Sequence, residues 1–405
     1  MSAGWKDTQN FQFGRRRWPP PPPTPPSLYL LAVDQVLRVK PEFSIGVNSP
    51  PSFFIKHSCW KSDSNPADPQ AGGLEGIRLK NKRKQVDNVL SVMDFLAERF
   101  SSRKLSNDDE GARRPHLVEF CASSGYCALP FASKFSEYQV SILDAKLSSI
   151  QIAWKRRQEM PTRCRNSIRV LLGRTEDFRE DFDIGVALHA CGDATDAVLD
   201  LCLGQRAAFC LIPCCVGRLS RLALGYHDHT CNAQKGNQCT YSNNDLKITG
   251  KCLEWSENID LEDAQQVERR WKQMWSTMRK SRCDCRPRPR SEVLVQALGG
   301  NDVAFRSFAA LARAADACRW LHNDVVDDGN SDEEVDTHET EAVSDSAKAA
   351  LEDSKKRKIA KHIVDWDRLQ LAREKGYKTY SFTMEPSTCT PKNDILFGYP
   401  EEWDE

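Results

Sequence analysis

The sequence predicts an α/β fold in which a mostly parallel sheet carries helices on both faces. Three observations predict it. Five short apolar runs alternate with amphipathic stretches between Leu117 and Ile212. A small-residue turn follows the first run and an acid ends the second. Two further β-rich runs, Tyr377–Met384 and Ile395–Tyr399, stand near the C-terminus as a late β-hairpin. Strands alternating with helices make right-handed β-α-β units, and such units make parallel sheets.

The elements run in order. Val86, Val89, Leu90, Met93 and Leu96 recur at helical spacing, so the pattern predicts a helix over Lys84–Phe100. Leu117–Cys121 reads as a strand, Leu129–Phe135 as a helix, Val140–Leu143 as a strand and Leu147–Glu159 as a helix. Ile168–Leu172 and Ile184–His189 read as strands, Ala194–Leu203 as a helix and Ala207–Ile212 as a fifth strand. Leu261–Lys280 and the Ala-rich Asp302–Leu321 read as helices. Gln370–Gly376 closes a last helix, with Gly376 as its C-terminal cap.

The chain has 405 residues, 40% of them hydrophobic, a low share that predicts unfolded stretches. Residues 1–80 are expected to be a disordered proline-rich segment, with Pro19–Pro23 in polyproline II form and a short strand near Phe53–Ile55. Residues 81–219 form the core, residues 220–359 hold insertions, and residues 360–405 complete the sheet. Asn323–Ser346 is an acidic tract that composition predicts to be disordered. Lysines and arginines number 57, as do aspartates and glutamates, so net charge argues for neither nucleic acid nor membrane. Met1–Arg17 lacks an apolar core of the signal-peptide kind, and the apolar run Leu28–Leu37 is too short to span a bilayer. A soluble protein of the cytoplasm or nucleus, with its 16 cysteines reduced, is expected.

Ligands of open α/β sheets bind at the carboxyl ends of the strands. Past the first strand lies Glu119-Phe120-Cys121-Ala122-Ser123-Ser124-Gly125. Small residues there let the backbone approach a ligand, and Gly125 can make a tight turn. Past the second lies Asp144, 25 positions after Glu119, placed as an acid that holds a ribose diol. Past the third lie Arg174 and Thr175, polar and set to face an adenine edge. One glycine where a dinucleotide loop has three leaves an ordinary doubly wound fold equally open.

These residues, with Ile142–Lys146, Phe182–Gly192, Thr195-Asp196, Pro213–Gly217 and Met384–Asn393 in the same order, resemble the methyltransferase domain of the glutathione S-transferase C-terminal domain-containing protein family. The His-Ala-Cys-Gly and Pro-Cys-Cys runs are also similar to zinc-finger type tRNA 2′-O-methyltransferases. The resemblance covers about Asn81–Leu219 and Ala360–Tyr399. It implies a Rossmann-like class I methyltransferase fold and S-adenosylmethionine as cofactor, bound through Glu119, Cys121, Ser123, Gly125, Asp144, Arg174, Thr175 and His189. Two departures stand out. The family loop is richer in glycine than Ala122-Ser123-Ser124, and the upstream glutathione-transferase-like domain is not expected in residues 1–80.

Methyl transfer needs an aligned nucleophile and a group that removes its proton. His189, at the end of the fourth strand, is placed as a general base, or as a histidine that holds its loop by a backbone bond. Cys191, Cys214 and Cys215 should converge from adjacent strand ends. They are candidate catalytic thiols, by similarity with RNA cytosine-5 methyltransferases, or buried apolar residues, or part of a Cys/His metal site with His189. The spacing lacks C-x-x-C, so no metal is assigned. His227, His229, Cys231, Cys239 and Cys252 read as loop residues or the start of a zinc site. Arg269, Arg270 and Lys272, interleaved with Trp271 and Trp275 and continued by Arg279 to Arg290, suit RNA or form a solvated helix face. The expected function is a methyltransferase acting on RNA. A catalytically inactive binding module, and a protein or small-molecule methyltransferase, are the alternatives.

Overall fold

The computed structural model describes residues 26–40, 65–106, 113–214, 216, 252–256, 259, parts of 261–273, 289–316, 345–390 and 393–404. Eight strands form one sheet in the order β6-β3-β2-β1-β4-β5-β8-β7. They are β1 (His116–Phe120), β2 (Gln139–Asp144), β3 (Ile168–Leu172), β4 (Ile184–Leu188), β5 (Ala208–Ile212), β6 (Leu253–Glu254), β7 (Tyr377–Thr383) and β8 (Asp394–Pro400). β1 to β5 pair in parallel. β6, β8 and β7 pair antiparallel at the edges, so the expected C-terminal hairpin extends the sheet.

The helices are α1 (Pro26–Val39), α2 (Gly76–Ser106), α3 (Ala128–Lys134), α4 (Leu147–Glu159), α5 (Thr162–Arg165), α6 (Asp193–Gln205), α7 (Glu292–Ala297), α8 (Asn301–Asp316) and α9 (Asp345–Glu374). Side chains alternate along each strand, which sorts the core into two layers. Leu117, Val140, Ile142, Val170 and Val186 pack with Val86, Val89, Leu129 and Ile150 of α2, α3 and α4. Val118, Phe120, Leu171, Phe209 and Leu211 pack with Val198 and Leu199 of α6 and Leu369 and Ala372 of α9. All five parallel strands are buried on both faces, which explains their near-continuous apolar character.

The structure differs from the sequence reading in five places. α2 starts at Gly76 and ends at Ser106, well beyond Lys84–Phe100, because its first turns are polar and carry no apolar period. Residues 1–80 include two folded parts. α1 buries Tyr29, Val33 and Val36, an i, i+4, i+7 stripe, against Leu294, Phe308, Leu311, Ile363 and Val364. Residues 65–73 make a turn in which Asp68 caps the backbone N–H of Gln70 and the buried Arg156 donates to the carbonyls of Pro66, Ala67 and Asp68. The strand expected near Phe53–Ile55 and the polyproline run lie outside the described residues. The boundary expected at 359 falls inside α9, whose buried Ile363 and Val364 serve the helical cluster while Leu369 and Ala372 serve the sheet. Asn323–Ser344 lies outside the described residues, but Asp345 and Ser346, read as part of the tract, open α9. Of the helix expected over Leu261–Lys280, the described residues are helical and Ala264 is buried, while Leu261 of the expected apolar stripe is exposed.

α9 is tied down by buried charge. Arg368 meets Asp196 at 2.8 Å and Asp365 at 3.0 Å, and Lys361 meets Asp365 at 2.6 Å and also Asp394. Such pairs cost desolvation and fix geometry more than they add stability.

Candidate functional site

The strand order reverses at β1, which lies between β2 and β4, and a crevice at such a switch point is where an open sheet binds ligands. A pocket of about 240 Å³ opens there, lined by Lys82, Glu119, Cys121, Ala122, Ser123, Tyr126, Leu188 and His189.

The loop from β1 to α3 has an unusual backbone. Cys121, Ser123 and Gly125, alternate residues, take φ of 51°, 52° and 76°. This is left-handed space that suits glycine, and side chains there cost of order 1 kcal/mol or more each. Glycine suits 125 on both counts, its φ of 76° and a Cβ that would lie 2.7 Å from Ile142 Cδ1. Three contacts impose the loop's shape. The N–H of Ser123 donates to Asp144 Oδ2 at 2.7 Å. The N–H of Ala122 donates to the Leu143 carbonyl at 3.0 Å. Arg156, buried in α4, donates to the Ser124 carbonyl at 2.6 Å.

Glu119 lines the pocket but also faces the start of α3, accepting from the N–H groups of Ala128 at 2.7 Å and Cys127 at 3.1 Å. Full burial pushes its carboxyl up to about 7 against the lowering effect of those bonds. Asp144 is also raised by burial and lowered by its bonds from the N–H groups of Lys146, 2.8 Å away on Oδ1, and Ser123. Each Asp144 oxygen thus holds one N–H, and a carboxylate has about four acceptor positions. Capacity remains for two further donors.

α2 supplies residues that sequence reasoning missed. Gln85 donates from Nε2 to the Cys389 carbonyl at 2.8 Å, which turns its Oε1 toward Lys82 Nζ at 2.9 Å and His189 Nε2 at 2.8 Å. In this orientation His189 donates from Nε2, so in the neutral ring the lone pair is on Nδ1. Burial lowers the Lys82 ammonium below the ordinary lysine value, and Glu119 is among the groups that oppose this. The i, i+3 spacing of Lys82 and Gln85 on a helix was the signal available, hidden because the helix was read as starting at Lys84.

The other predicted residues fall as follows. Glu119, Cys121, Ser123 and His189 line the pocket; Gly125 and Asp144 shape its loop. The Cys121 thiol, 3.9 Å from Thr175 Oγ1, is pushed up to about 12 by burial. Thr175 is buried at the start of a short helical turn. Arg174 is engaged by Asp177 at 3.2 Å. His189 has φ of 64°, and its N–H bonds the Ile212 carbonyl at 3.1 Å, so it holds its loop as well as facing the pocket. Cys191 is exposed and Cys214 half-buried, so the apolar reading does not suit Cys191. Cys215, Arg270, Lys272 and the His227 to Cys239 group lie outside the described residues. Among those described, no cluster of histidine, cysteine or acid could hold a metal. Arg269 is exposed. Arg290 is not part of a solvated basic face: half-buried, it is paired with Asp196 at 3.2 Å and with Asp200.

Strand order, switch-point pocket and the acid clamped to its loop define an open, mostly parallel α/β domain with a ligand crevice at its switch point. Residues 81–221 match the family model described as "Methyltransferase domain". Among curated proteins, the chain is 30% identical over 190 residues to the glutathione S-transferase C-terminal domain-containing protein of Xenopus laevis, covering 45% of this chain and 28% of that one. The Homo sapiens protein is 33% identical over 170 residues, covering 40% and 24%, and the Drosophila melanogaster homolog 33% over 156 residues, covering 38% and 23%. The chain thus spans about a quarter of the length of these relatives. Similar solved structures include the glycopeptide N-methyltransferase MtfA complexed with S-adenosylmethionine, 16% identical, covering 28% of this chain and 53% of that one at a TM-score of 0.21. Another is the plantazolicin methyltransferase BpumL in complex with S-adenosylhomocysteine, 13% identical, covering 46% and 63% at 0.23. Likeness at these scores carries no weight for function. Among the described residues, no helix is long and apolar enough to cross a membrane.

Proposed function

We propose that residues 81–221 are an S-adenosylmethionine-dependent methyltransferase domain, that the cofactor lies in the Lys82–His189 pocket, and that the acceptor is RNA. One observation carries the cofactor reading: the loop after β1 keeps left-handed backbone at 121, 123 and 125 while Asp144, at the end of β2, grips it. That arrangement brings backbone close to a ligand and sets a carboxylate beside it.

The residues present fit the cofactor. Asp144 would take the ribose hydroxyls, and Lys82, half-buried in the pocket lining, would offer its positive charge to the carboxylate of the amino-acid end. When bound, the cofactor supplies an activated methyl group on sulfur. His189 accepts the acceptor's proton at Nδ1, and Gln85 holds the imidazole in the tautomer that allows it. The acceptor reading rests on Arg269, Arg270, Lys272 and the tryptophans among them. Titration calorimetry with S-adenosylmethionine and S-adenosylhomocysteine tests the cofactor. Absence of heat and of thermal shift at millimolar ligand sinks the enzyme reading.

A second reading is an inactive binding module. It is favoured by the thiol and hydroxymethyl groups of Cys121 and Ser123, which stand in the pocket where glycine would leave space. Cofactor binding with no transfer to RNA, protein or small-molecule acceptors would select it. Transfer to protein or a small molecule alone would move the acceptor away from RNA.

A further inference from the structure

β4 and β5 are neighbouring parallel strands, with Leu188 opposite Ile212. Cys191 and Cys214 therefore leave the sheet side by side, at the edge of the pocket that His189 lines. Their sulfurs lie 2.8 Å apart, against ~2.05 Å in a disulfide. Both thiols also reach one acceptor, the His189 carbonyl, at 3.4 Å from Cys191 and 3.7 Å from Cys214. Both are reduced, with Cys191 exposed and Cys214 half-buried.

We propose that Cys191 and Cys214 are a reversible dithiol modification site, which a hydroperoxide closes to a disulfide across the ends of β4 and β5. The chemistry balances. The thiolate of Cys191, the more exposed sulfur, attacks a peroxide oxygen; the O–O bond breaks, and the departing oxygen takes a proton and leaves as water when the oxidant is hydrogen peroxide. Cys191 is then a sulfenic acid. Cys214 sulfur attacks the Cys191 sulfur, the S–O bond breaks, and the hydroxide leaves as a second water with the Cys214 proton. Two thiols and one hydrogen peroxide become one disulfide and two waters, and the two electrons pass from sulfur to peroxide.

Geometry and access select this pair. Exchange and oxidation need a reachable thiolate with a resolving sulfur close by. Cys127, Cys202 and Cys210 are buried, and burial raises all three thiols. Closing requires the two sulfurs to approach by less than an ångström. The bond would tie the His189 loop to the β5 loop and remove both thiols from any part in acceptor chemistry.

The test is peptide mapping of the full chain after graded hydrogen peroxide, with alkylation of remaining thiols. The expected result is a Cys191–Cys214 cross-linked peptide as the first disulfide formed, reversed by a thiol reductant. Cys191→Ser and Cys214→Ser should each abolish it, and Cys215→Ser should leave it intact. The parent should gain melting temperature on oxidation, and Cys214→Ser should not. Full alkylation of Cys191 and Cys214 after peroxide, a first disulfide through Cys215, or over-oxidation of Cys191 without a cross-link would each overturn the proposal. The readout needs no cofactor, so failure here is distinct from failure of the methyltransferase reading.

Discussion

Asp144 Oδ2 accepts the backbone N–H of Ser123 at 2.7 Å, joining the end of β2 to the middle of the loop that follows β1. The carboxylate thus shapes the loop by itself, and under the proposed function its remaining acceptor positions would take the ribose hydroxyls. Asp144→Ala removes both roles. Two charge-assisted hydrogen bonds to ribose are together of order 2–3 kcal/mol, so the Kd for S-adenosylmethionine should rise by roughly 30- to 150-fold in calorimetry. A Kd within about twofold of the parent would refute the placement.

The contrast between Asp144 and Lys82 shows what the sequence made legible. Asp144 could be found because strand alternation marks strand ends and a fixed spacing links the acid to the loop. β1 to β5, α4 and the C-terminal hairpin were legible for the same reason, since buried strands and amphipathic helices have their own periods. Lys82 and Gln85 reach the pocket by tertiary packing of a helix whose first turns are polar, and no local period announces that. The left-handed backbone at Cys121 and Ser123 was hidden in another way. Position 125 alone has glycine, so composition showed one turn where the fold makes three left-handed residues.

Lys82 tests which end of the cofactor the half-buried ammonium would meet. Lys82→Met keeps the aliphatic bulk and removes the charge. A hydrogen bond to a charged group contributes about 1.5–3 kcal/mol, so S-adenosylmethionine should bind roughly 10- to 150-fold more weakly. 5′-Methylthioadenosine, which lacks the amino-acid carboxylate, should bind the variant and the parent alike. Equal losses for both ligands would show that Lys82 serves the pocket's structure instead.

Gln85 holds His189 and Lys82 through one oxygen, and Gln85→Glu turns that oxygen into part of an anion. A carboxylate against the imidazole favours its charged form, so the acid limb of the kcat against pH profile should move up by about one unit or more. Melting temperature checks that the variant folds. An unmoved limb in a folded, active variant would remove His189 from the role of base.

Glu119 carries a prediction about stability against pH. Its carboxyl is raised from 4.5 to about 7 in the folded state, so the folded state holds its proton more tightly than the unfolded chain does. The resulting stability is fully present below pH 4.5 and is lost as pH rises through 7. The difference of 2.5 (7 − 4.5) is of order 3 kcal/mol at 1.36 kcal/mol per unit. Glu119→Gln should flatten the fall in denaturant stability between those values. Asp367, raised to about 6 by burial, leaves a smaller slope of the same sign below that pH. A variant with the parent's full slope from pH 6 to 7 would show that Glu119 does not titrate there.

The RNA proposal rests on residues 260–290, where nine lysines and arginines stand against five acids in the sequence. One of the nine, Arg290, is committed to Asp196 and Asp200 and drops out of any basic face. The tract from Asp324 to Glu341 holds nine acids and no lysine or arginine, and, tethered in the same chain, it should compete for that face. Deleting residues 324–344 stops short of α9, and should tighten RNA binding most at low salt, where screening is weakest. Affinity should fall with salt at a log–log slope of roughly −0.7 per phosphate contacted on a single strand. Charge reversal at Arg269, Arg270 and Lys272 should abolish binding in both proteins. Filter binding across salt reads all of this, and a deletion protein without RNA affinity at low salt would eliminate the surface.

The left-handed loop gives the last prediction. Cys121 and Ser123 sit at φ of 51° and 52°, where a side chain costs ~1–2 kcal/mol in crowding against the next carbonyl. Glycine removes that cost and adds backbone entropy to the unfolded chain, a loss of roughly 0.5–1 kcal/mol. Ser123→Gly is the cleaner case because Ser123 is exposed and its fixing bond to Asp144 comes from the backbone N–H, which glycine keeps. It should therefore stabilise the fold by up to about 1 kcal/mol in a denaturant titration. Cys121→Gly loses a half-buried thiol near Thr175 and should come out near neutral. For the cofactor the two substitutions act together, since both side chains line the pocket. The double variant should bind S-adenosylmethionine more tightly than the parent, because the loop keeps its conformation while the space beside it opens. Weaker binding by the double variant, with the fold intact, would mean that the thiol and the hydroxyl are contacts the ligand uses, and the crowding account of this loop would have to be abandoned.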